Sequence, residues 1–360
     1  MAKTAQLAWN EVLSRYYDAQ RHRLGEVLER ADDRVKALLR QAARQTEDEI
    51  LRAAPDAETY QRRMRSMRTG IEESWRDVAD KQTVAIRRAR RDAALLGATV
   101  ADEAGRNAAR TMEIDVPSGW GATAATVQSI GQDTLTYIGR HPYGGVPLSD
   151  RVWKQTDDTM RAIFNRVHTG VLLGQGPAEI ARDVRVNLID PDGKAREMGV
   201  VKRLRTQARA ARAAGEIDRA QRLFQAARTR MADIPPVGRG VYRSAYKNAM
   251  RVTRSEIVHA HQEAAVRYAE RNRFAVGSRW NVTPGTMCEI CLALVGVYGK
   301  GSAPTFPHPH CMCYVTTVYD WKVTGDKPER ILSAPASVVD PIRRRDYFTA
   351  KAIKASRKAA

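Results

Sequence analysis

All four cysteines of this 360-residue chain lie between Cys288 and Cys313, inside the segment TMCEICLALVGVYGKGSAPTFPHPHCMCY (286–314). His308 and His310, two of the seven histidines, lie there as well. A chain that gathers its sulfur into one short stretch is constrained to fold that stretch so that the thiols meet. Cys288-x2-Cys291 reads as a knuckle that lets two sulfurs face one ion. Cys311-x-Cys313 sits on or beside a strand, where residues two apart share a face. Soft sulfur and imidazole donors suit zinc in tetrahedral geometry. Six donors, Cys288, Cys291, His308, His310, Cys311 and Cys313, are available for four positions. The favoured set is Cys288, Cys291, His308 and either Cys311 or Cys313. A four-cysteine site is the next choice, and four buried thiols without metal are the plain alternative.

The expected zinc is structural. A catalytic zinc keeps an open position and has a carboxylate nearby as base. Glu289, inside the knuckle, is the only acid of the segment. The chain has no H-E-x2-H, and no H-x-E ahead of a P-C-x2-C, so deaminase chemistry is not indicated. A closed ion would hold together a loop domain too small to bury its own core. Glu256-x2-His259 together with His261 is a weaker second candidate for a metal, on a long helix. No enzymatic activity is expected.

The rest of the chain reads as mainly α. Apolar residues recur at a period near 3.6 from residue 5 to about 52, at Leu7, Val12, Leu13, Tyr16, Tyr17, Leu24, Val27, Leu28, Val35, Leu38 and Leu39. Pro55 interrupts that pattern. Helix resumes from about Ala57 to Leu96, with the Arg-rich run IRRARRDAA, and a further piece spans Ala98 to Met112. Residues 1–114 are thus expected to form a solvated helical arm or bundle, rich in Arg and Ala, and 115–148 a linker punctuated by Pro and Gly. Residues 149–325 form the next expected domain. In it, Ser149 or Asp150 caps one helix and Pro177 opens another. A basic helical insertion covers 188–240. From Lys194 to Arg251 there are 15 Lys and Arg against 4 Asp and Glu. A long amphipathic helix follows, YRSAYKNAMRVTRSEIVHAHQEAAVRYAERNR. Strands are expected at SRWNVT and CYVTTVYDW, with the Cys/His loop (280–320) stapling this small sheet to the helix. Residues 326–360 form a basic, loosely ordered tail. The fold class is mainly α with a small α+β C-terminal domain.

The formal net charge of +19 implies an anionic neighbour, and nucleic acid is the commonest. The basic insertion has no aromatic interleaving, so contact with nucleic acid would be independent of sequence. The first residues, MAKTAQLAWNEVL, hold no apolar run of signal-peptide length, and no stretch of about 18 apolar residues occurs. A cytosolic chain with no membrane partner is expected, and there clustered cysteines are metal ligands more often than disulfides.

The C-terminal pattern resembles the phage head morphogenesis family, minor head proteins similar to protein F of phage Mu and gene product 7 of phage SPP1. That family's order is a helix with Arg-Thr-Glu, a tryptophan strand, C-x2-C, H-P-x-C-x-C and a closing strand. Arg254-Ser255-Glu256, Trp280, Cys288 with Cys291, and His308-Pro309-His310-Cys311-Met312-Cys313 occupy those places. Ser255 replaces the usual Thr, and Met312 the usual Arg. Thr283-Pro284-Gly285 stands where the family often has an Asp. The likeness is good from Trp280 to Tyr314 and looser over 149–187; the N-terminal third and the insertion are unmatched. The resemblance implies a minor capsid protein in the virion, associated with the portal protein and the major capsid protein inside the head. It would act in head assembly and in DNA packaging or ejection, passing through the host cytoplasm during assembly. Two other classes compete: a zinc-dependent enzyme or toxin acting on nucleic acid, and a zinc-ribbon DNA-binding protein.

Overall fold

The computed structural model describes residues 2–53, 57–189, 194–232, 245–283, 289–305, 307–308, 311–320 and 331–332. In chain order these form α1 (Ala2–Ala53), α2 (Ala57–Thr111), α3 (Ala124–Arg140), α4 (Leu148–Leu172), α5 (Pro177–Ile189), α6 (Lys194–Ala213), α7 (Ile217–Ala232), α8 (Ala245–Arg271), β1 (Ala275–Asn281), α9 (Glu289–Leu294), β2 (Gly296–Gly299), β3 (Tyr314–Tyr319) and β4 (Ile331–Leu332). The protein is mainly helical with one small sheet near its C-terminal end, as the sequence leads one to expect. Two compact units divide it. One comprises residues 1–31, 86–147 and 253–360; the other comprises 32–85 and 148–252.

The second unit buries Val35 and Leu39 of α1, Ile71 and Trp75 of α2, Ile163 and Val167 of α4, and Ile180 and Val184 of α5. Trp75 donates its indole N–H to the Thr46 hydroxyl at 3.1 Å, and that hydroxyl donates to the Ala42 carbonyl at 2.7 Å. Pro177 opens α5, where its missing N–H is harmless. Helix α4 begins at Leu148, one residue before the expected caps, so Asp150 lies in its first turn and favours the positive end of the helix dipole. The described part of the basic insertion is a hairpin of α6 and α7. Its seam holds Val200, Leu204, Ala208 and Ala211 against Ala220, Leu223, Ala226 and Ala227. Gly215 makes the turn at φ 81°, a conformation that glycine adopts without strain.

The first unit is built around α8. The sequence suggests an amphipathic helix there. Instead, from Val252 to Ala269 nearly every residue is buried, polar ones included. α1, α2, α3 and the sheet supply the apolar neighbours, including Val27, Ala93, Ala98, Ile130 and Trp280. The polar groups find partners: Glu256 pairs with Arg90 at 3.3 Å, and Tyr268 donates to Asp102 at 3.0 Å. The alanines of α2 read from the sequence as solvated helix. Ala89, Ala93, Ala94, Ala98, Ala101, Ala104 and Ala108 are all buried, because a small side chain lets helices pack closely.

The span expected as a linker, 115–148, contains α3, capped by Thr123, whose side chain accepts from the Thr126 N–H. Trp120, also in that span, is 3 % exposed and stacks on Tyr319 at 4.2 Å. Trp9 meets both rings edge-on, at 6.3 Å and 5.9 Å. Aromatic burial therefore fixes this stretch where its Pro and Gly content suggested a free connection.

The sheet runs β3-β1-β2-β4. β1 is antiparallel to both β2 and β3, and the two-residue β4 adds in parallel to β2. β1 and β3 fall within or overlap the two expected strands; β2 and β4 are short additions. Apart from β4, the expected basic tail lies outside the described residues.

A close approach of α2 to α8 occurs at Gly97, where an added Cβ would stand 2.2 Å from the His261 carbonyl oxygen. At Gly25 in α1 an added Cβ meets nothing within 4 Å. Gly25→Ala is therefore expected to stabilise the protein by about 0.5–1 kcal/mol through helix propensity. Gly97→Ala should cost about 1–3 kcal/mol, because the helices must separate. Chemical denaturation of both variants checks the pair. Equal effects of one sign would contradict the packing described.

Candidate metal centre

Antiparallel pairing of β1 with β3 brings the two halves of the Cys/His segment together. Asn281 lies opposite Tyr314, so the chain leaving β1 runs beside the chain entering β3. Thr283 then donates its hydroxyl to the Met312 carbonyl at 2.6 Å. From α8, the Gln262 amide donates to the Cys313 carbonyl. The C-x-C backbone is thus held from two sides. Cys291 lies on the inner face of α9 with Leu294, both fully buried. The Cys311 N–H donates to the His308 carbonyl at 3.3 Å.

The result is a group of Cys291, His308 and Cys311 whose ligand atoms all lie within 4.8 Å of one another, and which can hold a metal ion. The two sulfurs are 3.7 Å apart. A tetrahedron with metal–sulfur bonds of about 2.3 Å has sulfur–sulfur edges of about 3.8 Å. The donors therefore fit, with one adjustment. The Cys291 sulfur lies 3.0 Å from His308 Nε2, closer than the same tetrahedron would place them. Cys311 is fully buried and Cys313 is 3 % exposed, while His308 is half-buried.

Cys313 stands beside this trio and completes a hydrogen-bonded set of thiols. The Cys291 and Cys311 thiols favour its ionised form, and a backbone hydrogen bond at Thr283 adds to that, so Cys313 is held well below the ordinary thiol range. Cys291 is pushed up by its hydrogen bonds with Cys311 and Cys313 and by burial. Cys311 is drawn down by Cys291, but Cys313 and burial outweigh this and leave it raised. Metal binding requires thiolates, and one of the three is already favoured here. Of the expected donors, Cys291, His308 and Cys311 converge, and Cys313 interacts with the two thiols without joining that group; Cys288 and His310 lie outside the described residues. Gln262 and Thr283, which position the C-x-C backbone, were not foreseen, because only the burial of α8 and the strand register give them that role.

Glu256, His259 and His261 do not assemble a second centre. Among the described residues, Cys291, His308 and Cys311 make the one group of three or more metal-type donors. Glu256 is engaged by Arg90, and His259 meets the edge of the Tyr143 ring at 6.4 Å. Arg254 is exposed and Glu256 buried, consistent with residues two apart on a helix facing different ways. Trp280 is fully buried in the same core cluster as the cysteines.

No family model matches the chain, and no curated protein or solved structure matches it either.

His261 gives this region a pH dependence. Burial, helped by the charge of Arg23, pushes its imidazole down to about 4 from the usual 6.5. Above pH 6.5 the group is neutral folded or unfolded and contributes nothing. As pH falls from 6.5 to 4 the unfolded chain takes up the proton and the folded one does not, so stability drops. The share owed to His261 is about 3 kcal/mol. Urea denaturation between pH 7 and pH 4 should show a shallower loss for His261→Gln than for the wild type. Parallel curves would contradict this assignment.

Proposed function

We propose that this chain is a minor head protein of a tailed phage and that its Cys/His centre is a structural zinc site. The observation that carries the proposal is the convergence of Cys291, His308 and Cys311 inside the core of the sheet-bearing unit, in the motif order of the head morphogenesis family. Cys313 beside them, and Cys288 from the same motif, are the candidates for the remaining position. Zinc is the ion best suited to this mix of thiolate and imidazole donors. When bound it would cross-link α9, the loop before β3 and the knuckle. This chain's own residues would hold those segments in place: Gln262 and Thr283 through the C-x-C carbonyls, Cys291 through the inner face of α9.

Burial supports a structural role over a catalytic one. A catalytic metal needs an open position facing substrate, and the three cysteines here are packed among Trp280, Leu294 and Val315. In this reading the protein is not an enzyme. It assembles with the portal protein and the major capsid protein, resides on the inner side of the head, and acts in head assembly and in DNA packaging or ejection. The excess of positive charge suits a place next to packaged DNA.

Particle composition tests this directly. Mass spectrometry of purified phage particles should find the chain in low copy number relative to the major capsid protein, and sedimentation should recover it with portal oligomers. Particles made without it should package or eject DNA poorly. Particles that never contain the chain, with unaltered DNA content and infectivity in its absence, would contradict the proposal.

A further inference from the structure

The α6–α7 hairpin carries a row of exposed cations. On α1 and α2 several exposed basic residues pair with acids one turn away, as in Arg15–Glu11, Arg30–Glu26, Arg68–Glu72 and Lys81–Asp77, while Arg87, Arg88 and Arg91 of α2 are exposed with no such pair among the described residues. On the hairpin, Lys202, Arg205, Arg209, Arg212, Arg222 and Arg228 are all exposed. None of these six is in an ion pair among the described residues, where Arg219 with Glu216 is the hairpin's exposed pair. Four of them, Lys202, Arg205, Arg209 and Arg212, follow one another at intervals of three, four and three, so they line one face of α6. At the helical rise this stripe extends about 15 Å.

The scaffold under the stripe is firm. The apolar seam joins α6 to α7, and Leu172 and Leu173 pack against it. Arg230 of α7, buried at 4 % side-chain exposure, pairs with Asp183 of α5 at 2.8 Å. A row of cations held in register and not matched by acids is a surface for a polyanion.

We propose that the α6 stripe, supported by Arg222 and Arg228, binds the phosphate backbone of duplex DNA without reading its sequence. Duplex axis of about 15 Å carries about four phosphates on each strand, matching the four cations of the stripe in number. Five of the six residues are arginine, whose planar fork grips phosphate through two parallel hydrogen bonds. Single strands are disfavoured, because Phe224, the hairpin's aromatic residue, is half-buried in the seam and offers no stacking platform. A membrane surface is disfavoured too, because the apolar face that would enter lipid is spent on packing α6 against α7. The setting, packaged DNA, rests on the head-protein reading; the chemistry rests on the hairpin alone.

Fluorescence anisotropy with a short labelled duplex of arbitrary sequence tests this on the full-length protein. The variant Lys202→Gln/Arg205→Gln/Arg209→Gln/Arg212→Gln should lose affinity at least about tenfold, and its log–log salt slope should flatten by about 3–4. Replacing the same three arginines by lysine should keep the slope, since the charges remain. A control, Arg87→Gln/Arg88→Gln/Arg91→Gln on α2, should bind within about threefold of the wild type and lose less slope than the α6 variant. Circular dichroism should be unchanged throughout, because all these side chains are exposed. Unaltered affinity and slope in the α6 variant would overturn the proposal. So would tighter binding of the wild type to phosphatidylserine vesicles or to polyglutamate than to DNA. These outcomes concern the hairpin surface only. Absence of the chain from particles would sink the head-protein reading and leave the binding measurement standing.

Discussion

A helix with almost no face to water must satisfy every polar group it carries from its neighbours, and α8 is such a helix. From Val252 to Ala269 it is enclosed, yet it brings Glu256, His259, His261, Gln262 and Glu263 into the interior. Several of these residues tie α8 to other elements. Glu256 reaches Arg90 on α2, and Glu263 takes a hydrogen bond from Thr305 at 3.0 Å beside one from Arg267 within α8 at 2.9 Å. Gln262 reaches the backbone at Cys313. The interior of this unit is therefore organised by directional polar contacts as well as by apolar packing, and removing one partner would leave a buried group unsatisfied.

The cysteine cluster extends the same logic. Cys291, Cys311 and Cys313 are core residues first: they lie in one cluster with Trp280, Leu294 and Val315. Thiols are tolerated there as small apolar side chains. Cys291 and Cys311, placed within reach of His308, also form a donor set, and a bound ion would tie α9 to the loop before β3. On the proposed reading function is mechanical: a bound ion would brace the sheet-bearing unit, and the basic hairpin would offer a surface to an anionic partner.

The metal-type donors were the most legible feature, because ligand chemistry is written in residue type and spacing. The long helices were legible from the 3.6 period of residues such as Leu13, Tyr17, Val35 and Leu39, all of them buried. Three things were not. The alanines of α2 have too little side chain to signal burial, though they form a packed seam. The stretch around Trp120 carries Pro and Gly in a pattern that reads as linker, and only its stacking on Tyr319, nearly 200 residues away in sequence, makes it core. The amphipathic reading of α8 failed because its polar residues are buried in partnership with distant groups, and one-dimensional spacing does not reveal those partners.

Cys291, His308 and Cys311 can hold a metal ion, and zinc with a fourth donor is the proposed occupant. X-ray absorption at the zinc edge, on protein purified under reducing conditions without chelator, tests it most directly. The account predicts stoichiometric zinc with sulfur neighbours at about 2.3 Å and nitrogen at about 2.0–2.1 Å, four ligands in all. It further predicts that His308→Ala removes the nitrogen signal and that Cys311→Ser weakens the sulfur signal. Protein that is folded and reduced but holds no metal, or metal with an oxygen-dominated shell untouched by either substitution, would contradict it.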